Sequence, residues 1–125
     1  MGFFIGMFMC NISIPAIICI AGYMMYAHPP KQINGVIGYR TKMSRKNEDT
    51  WSFAHNYCGK LWIKSGIILM FLTVSAQLPF INSSDNVVSI VTLIIEAIQL
   101  FFLLGSVYLV EKALKGTFDK DGNRR

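Results

Sequence analysis

Few side chains in this chain have the means to do chemistry. They are His55 three residues before Cys58, a single Glu96 inside a long apolar run, and a polar, basic, glycine-punctuated stretch from Asn34 to Trp62 that sets Tyr39 beside Arg40. On one helical face His55 and Cys58 could both touch a metal ion, but two ligands are too few, and His28, the other histidine, sits by Pro29-Pro30. The residues therefore predict no metal site and no cofactor. Nucleophilic catalysis fares no better, since there is no serine elbow, no base with an orienting partner and no phosphate-cradling loop; the chain does not read as an enzyme. Nor is there a helix-turn-helix beside the positive charge, which argues against direct contact with nucleic acid.

The basic stretch carries more than charge. Cationic side chains facing anionic headgroups would gain about 1 kcal/mol each and would fix topology. That does not call for Asn34, for Gly35 and Gly38, or for Trp51 eleven residues after Arg40. The two glycines predict a tight turn at positive φ from which Tyr39 and Arg40 project. Arg40 could pair bidentately with Glu48 or Asp49, with a phosphate, or with a partner's carboxylate.

Glu96 poses a separate problem. It falls near the middle of its apolar run, where a carboxylate costs about 2.5 to 3.5 kcal/mol to insert. Ser89, Thr92, Glu96, Gln99 and Ser106 recur at steps compatible with one helical stripe, interrupted by Leu103. One reading is a packing seam in which Glu96 is protonated and bonded to Gln99, to Gln77 or to a neighbouring subunit of a homo-oligomer. The other is a proton-coupled or peptide-sensing site.

The elements that hold these residues follow from hydropathy and charge. The chain has 125 residues, 53% of them hydrophobic, gathered into blocks long enough to cross a bilayer. This predicts an all-α integral membrane protein of one domain, with three transmembrane helices and a cytoplasmic amphipathic interfacial helix. The first span covers 3–26, with a kink expected at Pro15 and its freed backbone groups met by Asn11 or Ser13. Pro29-Pro30 ends that helix, and a loop over 27–46 follows. Asn47, before Glu48 and Asp49, reads as an N-cap, with Ser44 as the alternative. Trp51, Ala54, His55, Cys58 and Trp62 then recur at three and four, an interfacial helix over 47–64. It is expected to bend at Gly59 or Gly66 into a second span over 65–81. A short turn at 82–86 forces a third span, 87–110, to return antiparallel, and a loosely ordered tail over 111–125 closes the chain. The three cysteines, with no CxxC spacing, read as small apolar residues. All twelve Lys and Arg fall in 31–64 and 112–125, so the positive-inside rule predicts an outer N-terminus with the loop and the tail in the cytoplasm.

With these elements in place, the motif Asn34-x-x-x-Gly38-Tyr39-Arg40-Thr41, followed by Ser44-x-x-Asn47, Thr50-Trp51, Ala54-His55 and Gly59-Lys60, resembles the signature of the SdpI family over roughly residues 31 to 80. These are the bacterial immunity proteins named for the sporulation-delaying-protein system. The resemblance implies a multi-pass protein of the bacterial plasma membrane that protects the cell from a secreted, membrane-active peptide toxin. It also implies a signalling role in which the engaged protein holds a cytoplasmic repressor at the membrane. Asn34, Gly38, Tyr39, Arg40, Thr41, Trp51 and His55 are the signature positions it marks. Longer members carry extra spans before the motif, where this chain has one. Two other functions fit the residues: a small oligomeric proton-coupled transporter and a structural subunit of a larger membrane complex.

Overall fold

The computed structural model of the chain describes residues 2–31, 33 and 38–125. Asn34 and Gly35 of the expected signature loop lie outside the described residues. Three long helices make up the fold: α1 (Gly2–Ala27), α2 (Glu48–Gln77) and α3 (Asp85–Thr117), with one 3-10 turn, Leu78–Phe80, leading out of α2. No strand is present among the described residues. All three helices are long and apolar enough to cross a membrane.

Each helix buries a narrow seam. On α1 it is Phe4, Asn11, Pro15, Ile18, Gly22 and Met25, spaced by threes, fours and sevens, the repeat of helices packed side by side at a shallow angle. α2 contributes Trp51, Ala54, His55, Cys58, Gly59, Gly66, Leu69, Thr73 and Gln77, and α3 contributes Val88, Thr92, Ile95, Gln99, Ser106, Val110 and Leu114. Outside the seams the large apolar side chains face outward, Phe71, Leu93 and Phe101 among the most exposed. Polar residues inside and apolar ones outside invert the soluble arrangement and suit a lipid surround.

The sequence pattern separates an interfacial helix over 47–64 from a span over 65–81; the backbone joins them into one helix that runs unbroken through Gly59 and Gly66. No proline intervenes, and the glycines serve close approach instead. A Cβ on Gly59 would sit 2.7 Å from the carbonyl oxygen of Gly22, and one on Gly22 would sit 3.0 Å from that of Gly59, so α1 and α2 meet nearly backbone to backbone there. α1 accordingly packs more extensively against α2 than against α3.

Length places the rest. Thirty residues of α2 and thirty-three of α3 extend about 45 and 50 Å, against a hydrocarbon core of about 30 Å. The 3-10 turn and residues 82–84 join the two at one end, and the loop and the tail lie at the other. The tail packs there. Asn47 Nδ2 donates to the Gly122 carbonyl at 2.7 Å, and Arg124 forms a bidentate pair with Asp49, both contacts 2.8 Å. Phe118 is buried edge-on against Phe53, with the Arg124 guanidinium 5.0 Å from its centroid. The expected loose tail is thus a third layer over the loop and the start of α2, because Phe118 supplies an apolar anchor.

Candidate functional site

The loop is built by short-range polar bonds before it meets any helix. The Thr41 amide donates to Ser44 Oγ at 2.9 Å and the Ser44 amide donates to Thr41 Oγ1 at 3.2 Å, a reciprocal turn that buries Ser44. Asn47 then caps α2: its side chain accepts from the Thr50 amide at 2.9 Å, while Thr50 Oγ1 accepts from the Asn47 amide at 3.1 Å. This is a capping box with threonine in the place usually held by glutamate or glutamine. Thr50 is the signature residue beside Trp51, and its hydroxyl also lies 3.0 Å from the Ser44 carbonyl, so cap and turn are one unit.

That unit aims the signature side chains inward. His55, fully buried, sits one turn below Trp51; its Nδ1 donates to the Trp51 carbonyl at 2.8 Å, and its Nε2 accepts from the Tyr39 amide at 3.0 Å. Both ring nitrogens are thereby engaged, which leaves the imidazole in one tautomer with neither nitrogen free for a metal. Among the described residues no set of three His, Cys, Asp or Glu side chains could hold one. The rings of Trp51 and His55 lie 4.3 Å apart, and Trp51 Nε1 donates to the Pro30 carbonyl at 2.8 Å. Pro30 therefore does more than end α1, because its carbonyl ties the loop entrance to α2.

Gly38 makes this approach feasible. It holds φ +102°, and a Cβ there would collide with His55 Nε2. This is the left-handed turn expected at that glycine, with a second reason for having no side chain. Tyr39 then crosses to α3: its hydroxyl donates to Glu111 Oε1 at 2.8 Å, and its ring joins a cluster with Met25, Ala54, Cys58, Val110, Leu114 and Phe118. Burial, then the Glu111 carboxylate, push the Tyr39 phenol well above its ordinary range, so it stays neutral and acts as a donor. Cys58 is inside this cluster as a small apolar residue.

Arg40 is exposed beside Tyr39 and borders a cleft of about 450 Å³ with Gly38, Thr41, His28 and Trp62. Of the two carboxylates proposed for it by spacing, Asp49 has both oxygens engaged by Arg124. Of the signature positions, the structure brings together Gly38, Tyr39, Thr41, Trp51 and His55, with Asn47 of the same motif beside them. Glu111 and Pro30 were not legible as their partners, because nothing in spacing marks a bond between residues 39 and 111.

Deeper in the bundle lies a second polar cluster. Asn11 Nδ2 donates to Gln77 Oε1 at 2.7 Å and lies 3.3 Å from Thr92 Oγ1; Gln99 Nε2 donates to the Asn11 carbonyl at 2.9 Å and to Thr73 Oγ1 at 3.1 Å. Gln99 is thus buried within this cluster. Glu96 is not: it is partly exposed and shares no hydrogen bond with Gln99 or Gln77, both of which spend their amides on Asn11 and Thr73. The physical reason is rotation about α3, where Thr92, Ile95 and Gln99 face inward and residue 96 falls to the side. Asn11 is the hub, and not the satisfier of backbone groups freed by Pro15. Its one sequence signal is the pair of amide and apolar seam, Asn11 lying on the same face as Phe4 and Ile18.

A profile of the SdpI/YfhL protein family matches residues 31–110, further along the chain than the motif itself and into α3. The uncharacterized protein YfhL of Bacillus subtilis (strain 168) is 32% identical over 106 residues, which is 85% of this chain and 86% of that protein. No solved structure matches the chain. The matched segment takes in the loop, α2 and most of α3, the elements that Tyr39 and His55 tie together, and the chain belongs to the SdpI/YfhL protein family.

Proposed function

We propose that this protein is a non-catalytic immunity protein of the bacterial plasma membrane, protecting the cell against a secreted, membrane-active peptide toxin. The observation that carries the reading is the junction of Tyr39, His55 and Trp51, where family signature residues from the loop and α2 are locked to each other and to Glu111 of α3. A displacement of α3 against α2 by a bound peptide would pull directly on this junction and alter the face that Arg40 presents. In this reading the N-terminus is outside and the loop and tail are cytoplasmic, consistent with the placing of all twelve basic residues. The first turns of α2, rich in Trp, Tyr and Lys, stand at the membrane interface where the helix leaves the bilayer. The outer turn and the Glu96 side of α3 meet the toxin. The loop, through Arg40 and Trp51, signals by holding a cytoplasmic repressor at the membrane.

The test is survival of a sensitive, immunity-deleted bacterium expressing the chain during exposure to secreted peptide toxins. Arg40→Ala should abolish protection at unchanged membrane abundance. Full protection by that variant removes Arg40 from the mechanism, and lack of protection by well-inserted wild type against a panel of such toxins counts against immunity.

A second reading, a small oligomeric proton-coupled transporter, draws on Glu96, the carboxylate of the third apolar run, and on the buried amide cluster beside it. Among the described residues nothing bonds the buried side-chain oxygens of Asn11 and Gln99, and amide rotation cannot help, because the amino groups of Gln77 and Gln99 face the carbonyls of Thr73 and Asn11. Substrate-dependent proton flux in liposomes, lost in Glu96→Gln, would favour it.

A further inference from the structure

We propose that the cleft between the signature loop and the end of α3 is a binding site for an anionic phospholipid, its phosphate held by lysines of the loop and of α3 and one acyl chain lying along α3. The cleft measures about 600 Å³ and is bordered by Lys42 and Lys46 from the loop, Lys115 at the end of α3, and Lys120 and Arg125 from the tail. Met43 and Phe118 form its apolar floor.

The charge there is only partly cancelled internally. Two carboxylates also border the cleft, Glu111 and Asp119. Each is already engaged by donors of the chain: Glu111 Oε1 accepts from the Tyr39 hydroxyl, and Asp119 Oδ1 accepts from the amides of Asp121 and Asn123. Among the described residues the one ion pair is Asp49 with Arg124, outside this cleft. The donors to Glu111 and Asp119 are neutral, so both carboxylates keep their charge, and the five cations exceed them by three, an excess that attracts an external anion. The carbonyl end of α3 opposes an anion, but Arg125 Nε donates to the carbonyls of Lys115 at 2.9 Å and Phe118 at 3.1 Å and offsets that end.

Position decides which phosphate it is. Lys115 stands where α3 leaves its apolar run, and the same face of the helix carries Tyr108, Leu104 and Phe101 at steps of seven, four and three. These are 66%, 64% and 75% exposed, an apolar track of about 21 Å from Lys115 to Phe101. A soluble phosphorylated compound would use the lysines and leave the track bare; a phospholipid uses both, headgroup in the cleft and chain on the track.

The experiment takes the full chain, purified and delipidated in a neutral detergent, and counts bound lipid by native mass spectrometry during titration with phosphatidylglycerol or phosphatidylcholine of identical chains. One phosphatidylglycerol should bind in preference to phosphatidylcholine. Lys42→Gln with Lys115→Gln should weaken it by at least about tenfold, while Lys60→Gln with Lys64→Gln, two exposed lysines outside the cleft, should not. Lys42→Arg with Lys115→Arg should retain binding, which separates charge from misfolding. Equal binding of phosphatidylcholine overturns the proposal, as does equal weakening by the two glutamine pairs, which would signify diffuse attraction. Displacement of the lipid by glycerol phosphate at the lipid's own concentration overturns it in favour of a soluble phosphorylated ligand.

Discussion

The amide of Tyr39 donates to Nε2 of His55 at 3.0 Å, so a loop residue and a helix residue sixteen positions apart share one buried hydrogen bond. Because Nδ1 of the same ring is turned to the Trp51 carbonyl, the imidazole can accept from Tyr39 in only one tautomer. His55→Ala leaves a buried N–H without an acceptor and should cost about 1 to 3 kcal/mol. Gln at position 55 can present its side-chain oxygen near the same point and should recover part of that loss. Chemical unfolding of the three proteins in matched micelles would check the order: wild type, then His55→Gln, then His55→Ala.

Gly38 tests the same contact from the other side. Its φ of +102° disfavours any side chain, and a Cβ would collide with the His55 ring. Gly38→Ala therefore carries two penalties, backbone strain of about 1 to 2 kcal/mol and a clash. The clash vanishes when the ring is gone, so Gly38→Ala should cost less in a His55→Ala background than in wild type. A double-mutant cycle read by unfolding free energy measures that coupling; strict additivity would mean that residue 38 does not press on the ring.

These two residues show how far the fold was legible in the sequence. The apolar blocks set three helices, the cap at Asn47 follows from a short polar side chain ahead of two carboxylates, and the turn at Gly38 follows from glycine's freedom at positive φ. All are local effects. What joined them was not local: Glu111 looks like a helix-end charge until Tyr39 reaches it, and Phe118 looks like part of a polar tail until it packs on Phe53. Glu96 drew attention as the sole carboxylate at membrane depth, yet a step of one residue along α3 rotates it about 100° from Ile95 and out of the buried seam. Asn34, the first residue of the motif, lies outside the described residues.

The Tyr39 hydroxyl makes stability depend on pH in a defined direction. Burial and the Glu111 carboxylate raise the phenol's pKa in the folded protein above its ordinary value near 10. Below that value the phenol is protonated in both folded and unfolded chains, and its contribution is fully present. As pH rises past 10 the unfolded chain loses the proton first, so stability falls across the window up to the folded-state pKa. Tyr39→Phe should lower stability at pH 8 by about 1 kcal/mol through the lost bond to Glu111, yet decline less steeply between pH 9 and 11. Parallel unfolding curves for the two proteins across that window would rule out a buried, raised phenol.

Asn11 and Glu96 give opposite expectations at membrane depth. Asn11 contributes its amide to Gln77 and Thr92 and its backbone carbonyl to Gln99, so Asn11→Ala removes side-chain bonds on both neighbouring helices. Intramembrane hydrogen bonds average about 0.6 kcal/mol, and the cavity adds to this, so a loss of about 1 to 3 kcal/mol is expected. Glu96 bonds to none of these residues, and Glu96→Gln should change stability by less than about 0.5 kcal/mol. Unfolding in bicelles distinguishes them, since a large loss in Glu96→Gln with none in Asn11→Ala would return the carboxylate to the seam. Should Glu96→Gln nonetheless abolish protection or proton flux while stability is unchanged, its role is at the lipid-facing side of α3 and not in holding the helices together.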